Sequence, residues 1–422
     1  MGRRTLLLGA TAGAGLFFGI VAGSSNDSSA ERPPYYKKWR QNPKMVVFGD
    51  STSDAGRRFD APASFDFDDI GKFPFTKLFE EPDSETLFRA YLPDAGSVTN
   101  GKAWPGWLNV PEELNYATSS GTATDAFRSR EICGGYTGEG EAFPTATLSE
   151  QVTRYFNDVL DHTNDTLDYT HIINIGNNDF GGLVSAAERY AAGGAGYVDP
   201  VAFENVFEVV DGVPTLTFAP FMREVVNAWQ EGVDRLLERG VTGRILLANL
   251  VSTDFFSGSD SSGLEVADTI DDVFTQLQLE VDSIAAANPQ VRVLSFFNLT
   301  LALFTQPEIF QSLGFTTLTV PCLTFDFAID STAEIMGTQA ERAAGCQEEC
   351  ALCADLTSPC QNCFQGNPSA TVCDTPETYI FWDSLHLTTE VHKILAEAIR
   401  QCAKDFPNYD RPLVALLCPE GS

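Results

Sequence analysis

The chain reads as an α/β protein, a three-layer α/β/α sandwich built on a central parallel sheet. Three observations predict this. Met45–Phe48 is a continuous apolar run that breaks into Gly49-Asp50-Ser51, the pattern of a short strand buried on both faces. His171–Ile175 reads as a second buried strand and runs into the polar turn Gly176-Asn177-Asn178-Asp179. From Phe221 onward, helical and strand patterns alternate, which implies parallel strands joined by right-handed crossovers.

The elements follow in order. Phe221–Arg239 carries apolar residues at Met222, Val225, Val226, Trp229, Val233, Leu236 and Leu237, the spacing of one helix face. Gly240 and Gly243 end it, and Arg244–Asn249 reads as the next strand. Leu264–Ala287 is a second amphipathic helix, and Val291–Phe297 a further strand.

The chemistry is carried by two distant stretches. Ser51 falls just past the carboxyl end of a buried strand, the edge at which open α/β sheets bind ligands. Serine is a weak nucleophile until a base takes its proton. The chain has four histidines: His162, His171, His386 and His392. His386 stands three residues after Asp383 in Phe381-Trp382-Asp383-Ser384-Leu385-His386. One turn can lay the carboxylate on the imidazole, where it fixes the tautomer and stabilises the imidazolium. His162 and His171 have no acidic residue at informative spacing, and His392 reads as a packed or surface histidine.

Gly49-Asp50-Ser51 near the start and Asp383-x-x-His386 near the end resemble the first and last blocks of the GDSL esterase/lipase family, the SGNH hydrolases. Asn100-Gly101-Lys102-Ala103-Trp104-Pro105-Gly106-Trp107-Leu108 is similar to the second block and Gly176-Asn177-Asn178-Asp179 to the third. Asn115-Tyr116-Ala117 and Gly314-Phe315 are further echoes. The resemblance runs from about Lys44 to about Arg400. Thr52 stands where leucine is usual, and Leu387 where proline often follows the histidine; neither change removes a chemical group.

The resemblance implies a flavodoxin-like sheet and a carboxylic ester hydrolase. Ser51, His386 and Asp383 would form the triad. The N–H of Ser51, the N–H of Gly101 and the side-chain amide of Asn178 would form the oxyanion hole. No metal or organic cofactor is called for. The substrate class would be an acetylated carbohydrate, a short-chain ester or a lipid ester. Two other readings stand beside it: an acyltransferase using the same site, and a non-catalytic binding protein on a hydrolase scaffold. Read alone, Gly101 is a turn glycine and Asn178 a turn cap. Asp50 and Asp179 read as loop-bracing carboxylates, Asp54 as a helix N-cap, and Trp104 and Trp107 as core or pocket wall.

The N-terminus reads as a secretory signal over residues 1–23: basic Arg3-Arg4, then an apolar run to Ala22 and small residues at Gly23-Ser24-Ser25. An uncleaved membrane anchor is the rival, and a twin-arginine signal a third. Residues 24–43 form a polar linker, and 44–422 one hydrolase domain, since its first and last chemical blocks must meet. A formal net charge of −31 over 422 residues argues against nucleic-acid partners, since a phosphate-binding surface needs clustered Lys and Arg, and disfavours docking on anionic lipid, which turns the substrate expectation toward neutral esters.

Ten cysteines in a secreted chain point to disulfides. Seven fall in an insertion spanning 322–373: Cys322, Cys346, Cys350, Cys353, Cys360, Cys363 and Cys373. Cys350-x-x-Cys353 with Cys360-x-x-Cys363 would be a zinc pattern in a reducing compartment. Seven is odd, so full oxidation requires a partner among Cys133, Cys402 and Cys418. The insertion ends ten residues before Asp383; a surface staple is expected, with a brace for the acid/base loop as the alternative. Asn26, Asn164 and Asn298 begin glycosylation sequons.

Overall fold

The computed structural model describes residues 44–55, 99–118, 121–124, 146–180, 207–210, 213–216, 218–252, 267–326, 369–383, 386–404 and 407–419. The strands are β1 (Met45–Gly49), β2 (Thr170–Asn174), β3 (Phe207–Val210), β4 (Val213–Leu216), β5 (Ile245–Ala248), β6 (Val291–Leu294), β7 (Leu323–Asp326) and β8 (Ser369–Val372). Four of them make a parallel sheet in the order β1-β2-β5-β6. The register pairs Val46 with His171, Ile172 with Leu246 and Leu247 with Val293. On the free side of β1, Val47 makes a parallel bridge to Asn115, where Tyr116 N–H donates to the Val47 carbonyl at 2.7 Å. β3 with β4, and β7 with β8, form separate antiparallel pairs.

The helices are α1 (Trp104–Trp107), α2 (Leu148–Tyr155), α3 (Ala219–Glu238), α4 (Ala267–Ala287), α5 (Phe296–Thr305), α6 (Pro307–Ser312), α7 (Thr389–Cys402) and α8 (Pro412–Leu417). Side chains alternate across a strand, so each strand feeds two cores. Val46, Phe48, Ile173, Leu247 and Val293 face one side, where α2, α3 and α4 pack. Met45, Val47, Ile172, Leu246 and Leu294 face the other, against α1, α5, α7 and α8. The fold is therefore α/β, with helices on both faces of a parallel sheet.

The predicted helix over 221–239 is α3, and Leu264–Ala287 is seen as α4. Within α3, fully buried Trp229 donates its indole N–H to the Ile175 carbonyl at 3.0 Å, which ties the helix to the turn after β2. Truncating a tryptophan so placed costs roughly 3–5 kcal/mol. The predicted strand over 291–297 is corrected. β6 stops at Leu294, and Ser295 caps α5, its hydroxyl accepting from the Asn298 N–H at 3.2 Å. Phe296 and Phe297 extend the apolar run in sequence but occupy the first turn of a helix.

Two disulfides join described cysteines: Cys322–Cys373, which closes the two ends of the insertion, and Cys402–Cys418, between the end of α7 and the residue after α8. Because Cys402 and Cys418 bond each other, neither is left to pair the odd cysteine of the insertion, and Cys133 is the remaining candidate. Cys133, Cys346, Cys350, Cys353, Cys360 and Cys363 lie outside the described residues, as do the N-terminal signal, the linker and Asn26. Among the described residues, no group of three or more His, Cys, Asp or Glu could hold a metal ion, and no helix is long and apolar enough to cross a membrane. Asn164 is exposed; Asn298 is half-buried, and the Thr300 of its sequon is buried.

Candidate active site

Every side chain of the site is held at the carboxyl edge of the sheet. β1 delivers Gly49, Asp50 and Ser51 to that edge. Gly49 must be glycine: a Cβ there would lie 2.7 Å from the Asn174 carbonyl oxygen and 2.8 Å from the Ser53 Cβ. The turn that follows is tied on three sides. Asp50 accepts from the Thr52 N–H at 3.1 Å and the Thr52 hydroxyl at 2.7 Å. Asn174 donates to the hydroxyls of Thr52 at 3.0 Å and Ser53 at 2.9 Å. Asn115 donates to the Ser53 carbonyl at 3.0 Å.

Behind this turn lies Gln151 of α2, fully buried. Its carbonyl accepts from the Gly49 N–H at 2.8 Å, and its amide donates to the carbonyls of Gly49 at 2.9 Å and Ala146 at 3.0 Å. Nothing in the sequence signalled this residue beyond a polar side chain on the apolar face of an amphipathic helix.

The far end of the chain supplies the histidine. His386 Nε2 lies 3.0 Å from Ser51 Oγ, across 335 residues of sequence. Its Nδ1 lies 3.0 and 2.9 Å from the two Asp383 carboxylate oxygens. A carboxylate only accepts, so Nδ1 carries the proton and Nε2 is left to accept from the serine hydroxyl. The loop carrying them is folded back on itself: Trp382 N–H donates to the His386 carbonyl at 2.7 Å, and Thr388 N–H to the Ile380 carbonyl at 2.9 Å.

The segment containing Gly101 is brought to the same loop. Thr99 donates to the Leu387 carbonyl at 2.8 Å, and Asn100 accepts from the Thr389 N–H at 2.7 Å. Gly101 packs so closely on Thr389 that a Cβ would sit 2.9 Å from its Oγ1. Asn178, just past β2, donates to the Gly121 carbonyl at 2.8 Å. Its amide has a second hydrogen. Thus Ser51, Asp383 and His386 come together directly, while Gly101 abuts the His386 loop and Asn178 stands on the neighbouring turn.

The remaining polar groups brace the frame. Asn177 donates to Asp50 at 3.1 Å and accepts from the Val251 N–H at 3.3 Å. Asp179 bonds its own backbone N–H and also reaches a second segment, accepting from Ala123 N–H at 2.6 Å and from the Thr124 N–H and hydroxyl at 3.0 Å. Burial pushes its carboxyl up to about 7 against those donors, and burial also raises Asp50. His392 is buried, and loss of solvent lowers it to about 3, with His386 adding a smaller effect in the same direction. His171 sits at the start of β2, away from this edge, between the Tyr155 hydroxyl at 3.0 Å and the Tyr169 carbonyl at 2.9 Å. Asp54 is buried, and the helix it was expected to cap lies outside the described residues.

The base of the disulfide-closed insertion packs inward. Cys322 is buried, its N–H donates to the Phe381 carbonyl at 3.0 Å, and Leu323 N–H donates to the Trp382 carbonyl at 2.6 Å. Cys322 and Leu323 pack with Trp382 in a small cluster of their own. That contact ends one residue before Asp383. No protein-family model matches this chain, and no curated protein matches it in sequence.

Proposed function

We propose that the chain is a serine hydrolase of carboxylic esters, with an SGNH-type site on a flavodoxin-like sheet. The observation that carries the reading is the unbroken relay Ser51 Oγ, His386 Nε2, His386 Nδ1, Asp383, with each step at hydrogen-bond length. The Val47–Asn115 bridge beside β1 supports the sheet assignment, because it adds a neighbour on the side that a 2-1-3-4-5 strand order requires.

In the proposed reaction Ser51 Oγ attacks the ester carbonyl as His386 takes its proton, and Asp383 stabilises the imidazolium. The Ser51 N–H, the Gly101 N–H and the second amide hydrogen of Asn178 hold the developing oxyanion. Each such donor is worth about a hundred- to a thousandfold in rate. His386 then protonates the leaving alcohol, and water repeats the cycle on the acyl-enzyme. Secretion belongs to the same proposal, supported by the two disulfides, which persist in oxidising compartments.

The test is turnover of p-nitrophenyl acetate and butyrate by the purified chain, with Ser51→Ala and His386→Ala beside it. Loss of activity in both variants with unchanged circular dichroism is expected. Wild-type rates in either variant would contradict the assignment.

A further inference from the structure

Two stretches of the site come from distant parts of the chain: the strip around Gly101 and the loop that carries His386. One residue joins them. Thr389 lies three residues after His386 and opens α7. Its backbone N–H donates to the Asn100 side-chain oxygen at 2.7 Å, and its hydroxyl donates to the Lys102 carbonyl at 3.0 Å. Both neighbours of Gly101 are therefore tied to the same residue. The Thr389 hydroxyl also accepts from the Trp107 indole N–H at 3.3 Å, which fastens the end of α1 to the same point.

These ties go beyond an ordinary helix start. The first N–H groups of an α-helix have no partner within it, and the N-cap side chain commonly supplies one. In α7 the N-cap residue Thr388 makes no capping bond; its hydroxyl donates to the Tyr379 carbonyl at 2.7 Å. Asn100 supplies an acceptor to the helix instead, from 289 residues away. Gly101 completes the contact. A Cβ there would lie 2.9 Å from Thr389 Oγ1 and 3.0 Å from Thr389 Cβ, so the strip lies closer to this side chain than a residue with a Cβ permits.

We infer that Thr389 is a positioning residue for the reaction: its hydroxyl and N–H hold the Gly101 peptide at a fixed place against the His386 loop, so that the proposed oxyanion donor and the histidine keep their relative positions. The inference rests on the hydrolase reading above and adds to it a residue that acts through Gly101. A donor of this kind stabilises the charge that develops in the transition state. Displacing it by about 1 Å can cost a hundredfold in rate. Such a loss appears in kcat and kcat/KM together, with KM little changed.

The experiment compares Thr389→Val, Thr389→Ser and Asn100→Ala with the wild type on p-nitrophenyl butyrate. It reads kcat, KM, the pH profile of kcat/KM and inhibition by a short alkyl trifluoromethyl ketone. The Ser51 oxygen adds to the carbonyl carbon of that ketone, the hydroxyl proton passes to His386, and the ketone oxygen becomes an oxyanion. Valine keeps the shape of threonine but neither donates nor accepts. In Thr389→Val, kcat is expected to fall roughly ten- to a hundredfold at nearly constant KM, with ketone affinity falling in proportion. Thr389→Ser restores the hydroxyl and is expected to recover most of the loss. Asn100→Ala cuts the other tie and is expected to lower kcat and ketone affinity in the same way, so the test does not depend on one variant folding. The acid limb of the pH profile is expected to stay in place, because His386 keeps its own partners. Wild-type kcat in a folded Thr389→Val or Asn100→Ala protein overturns the positioning role and leaves the hydrolase reading intact. So does a loss in Thr389→Ser as deep as in Thr389→Val. A loss of kcat with unchanged ketone affinity, or with a shifted pH profile, moves the effect to His386 and also overturns it. A wild-type protein that neither turns over the ester nor is labelled at Ser51 by an alkyl fluorophosphonate overturns the hydrolase reading and, with it, this inference.

Discussion

Asp383 grips His386 at two points: its carboxylate faces Nδ1 at 2.9 and 3.0 Å, and one of the same oxygens accepts the His386 backbone N–H at 2.7 Å. The carboxylate thus sets the ring and the peptide that carries it. Asp383→Asn keeps an acceptor oxygen for the backbone N–H but loses the charge opposite the imidazolium and no longer enforces the tautomer. The expected result is a fall in kcat of roughly a hundred- to ten-thousandfold. That is a smaller loss than Ser51→Ala, by about one to two orders of magnitude. Steady-state kinetics on one ester decides it. Equal losses in the two variants would mean that Asp383 does more than orient and stabilise the ring.

Gln151 is expected to matter more for stability than its sequence position suggests. Gln151→Leu keeps the volume but leaves the Gly49 N–H and the Ala146 carbonyl without the partner they have now, in a fully buried site. Unmet groups of this kind cost about 1–3 kcal/mol each. A destabilisation of roughly 2–4 kcal/mol is therefore expected in urea unfolding, together with loss of ester turnover as the Ser51 turn loosens. A variant as stable as the wild type would show that the turn holds itself.

The parts of this molecule that were legible in its sequence are those governed by local pattern. β1 and β5 are continuous apolar runs that end at glycine or just before asparagine, β2 holds Ile172 and Ile173 ahead of a glycine-asparagine turn, and α3 carries a one-sided apolar stripe. The residues of the relay stood out because serine, histidine and aspartate carry recognisable chemistry even when 335 positions separate two of them. What was not legible is the frame around them. Gln151, Asn174 and Thr389 look like ordinary polar residues, and their roles exist only through contacts made 102 to 289 residues away. Phe296 and Phe297 were misread for the opposite reason: their local apolarity outweighed the capping serine before them.

Two buried histidines give stability a definite pH dependence. Burial lowers His171 to about 4 and His392 to about 3, from an ordinary value near 6.5. The unfolded chain therefore binds protons that the folded one refuses. Their contribution is present above pH 6.5 and is lost as pH falls, until about 4 for His171 and about 3 for His392. Asp179, raised to about 7, acts in the opposite sense: its contribution is present below the ordinary carboxyl value and lost as pH rises through 7. Between pH 6.5 and 4 two histidines oppose one carboxyl among these three groups, so acid is expected to destabilise. His171→Phe isolates one of them. The stability difference between it and the wild type should change by about 1.4 kcal/mol per pH unit across that window. A difference that stays constant with pH would mean that His171 is protonated in the folded protein.

The Cys322–Cys373 bond offers a test of how the loop carrying Asp383 and His386 is held. Cys322 and Leu323 hydrogen-bond the carbonyls of Phe381 and Trp382, and the disulfide locks Cys322 to the residue after β8. Those carbonyls immediately precede Asp383, whose geometry toward His386 must hold to a fraction of an ångström for proton transfer. The Cys402–Cys418 bond, between α7 and the end of α8, constrains no residue of the relay. Replacing Cys322 and Cys373 by alanine together should lower kcat by about tenfold or more. Its loss of stability should exceed that of the Cys402→Ala, Cys418→Ala double variant by about 1 kcal/mol, because the sequence separations are 51 and 16, and that second variant should retain kcat. The comparison separates a general staple from a brace: both pairs close loops and restrict the unfolded chain, but only one abuts the carboxylate that sets the base. Equal kcat in the two double variants would assign the insertion's disulfide to stability alone.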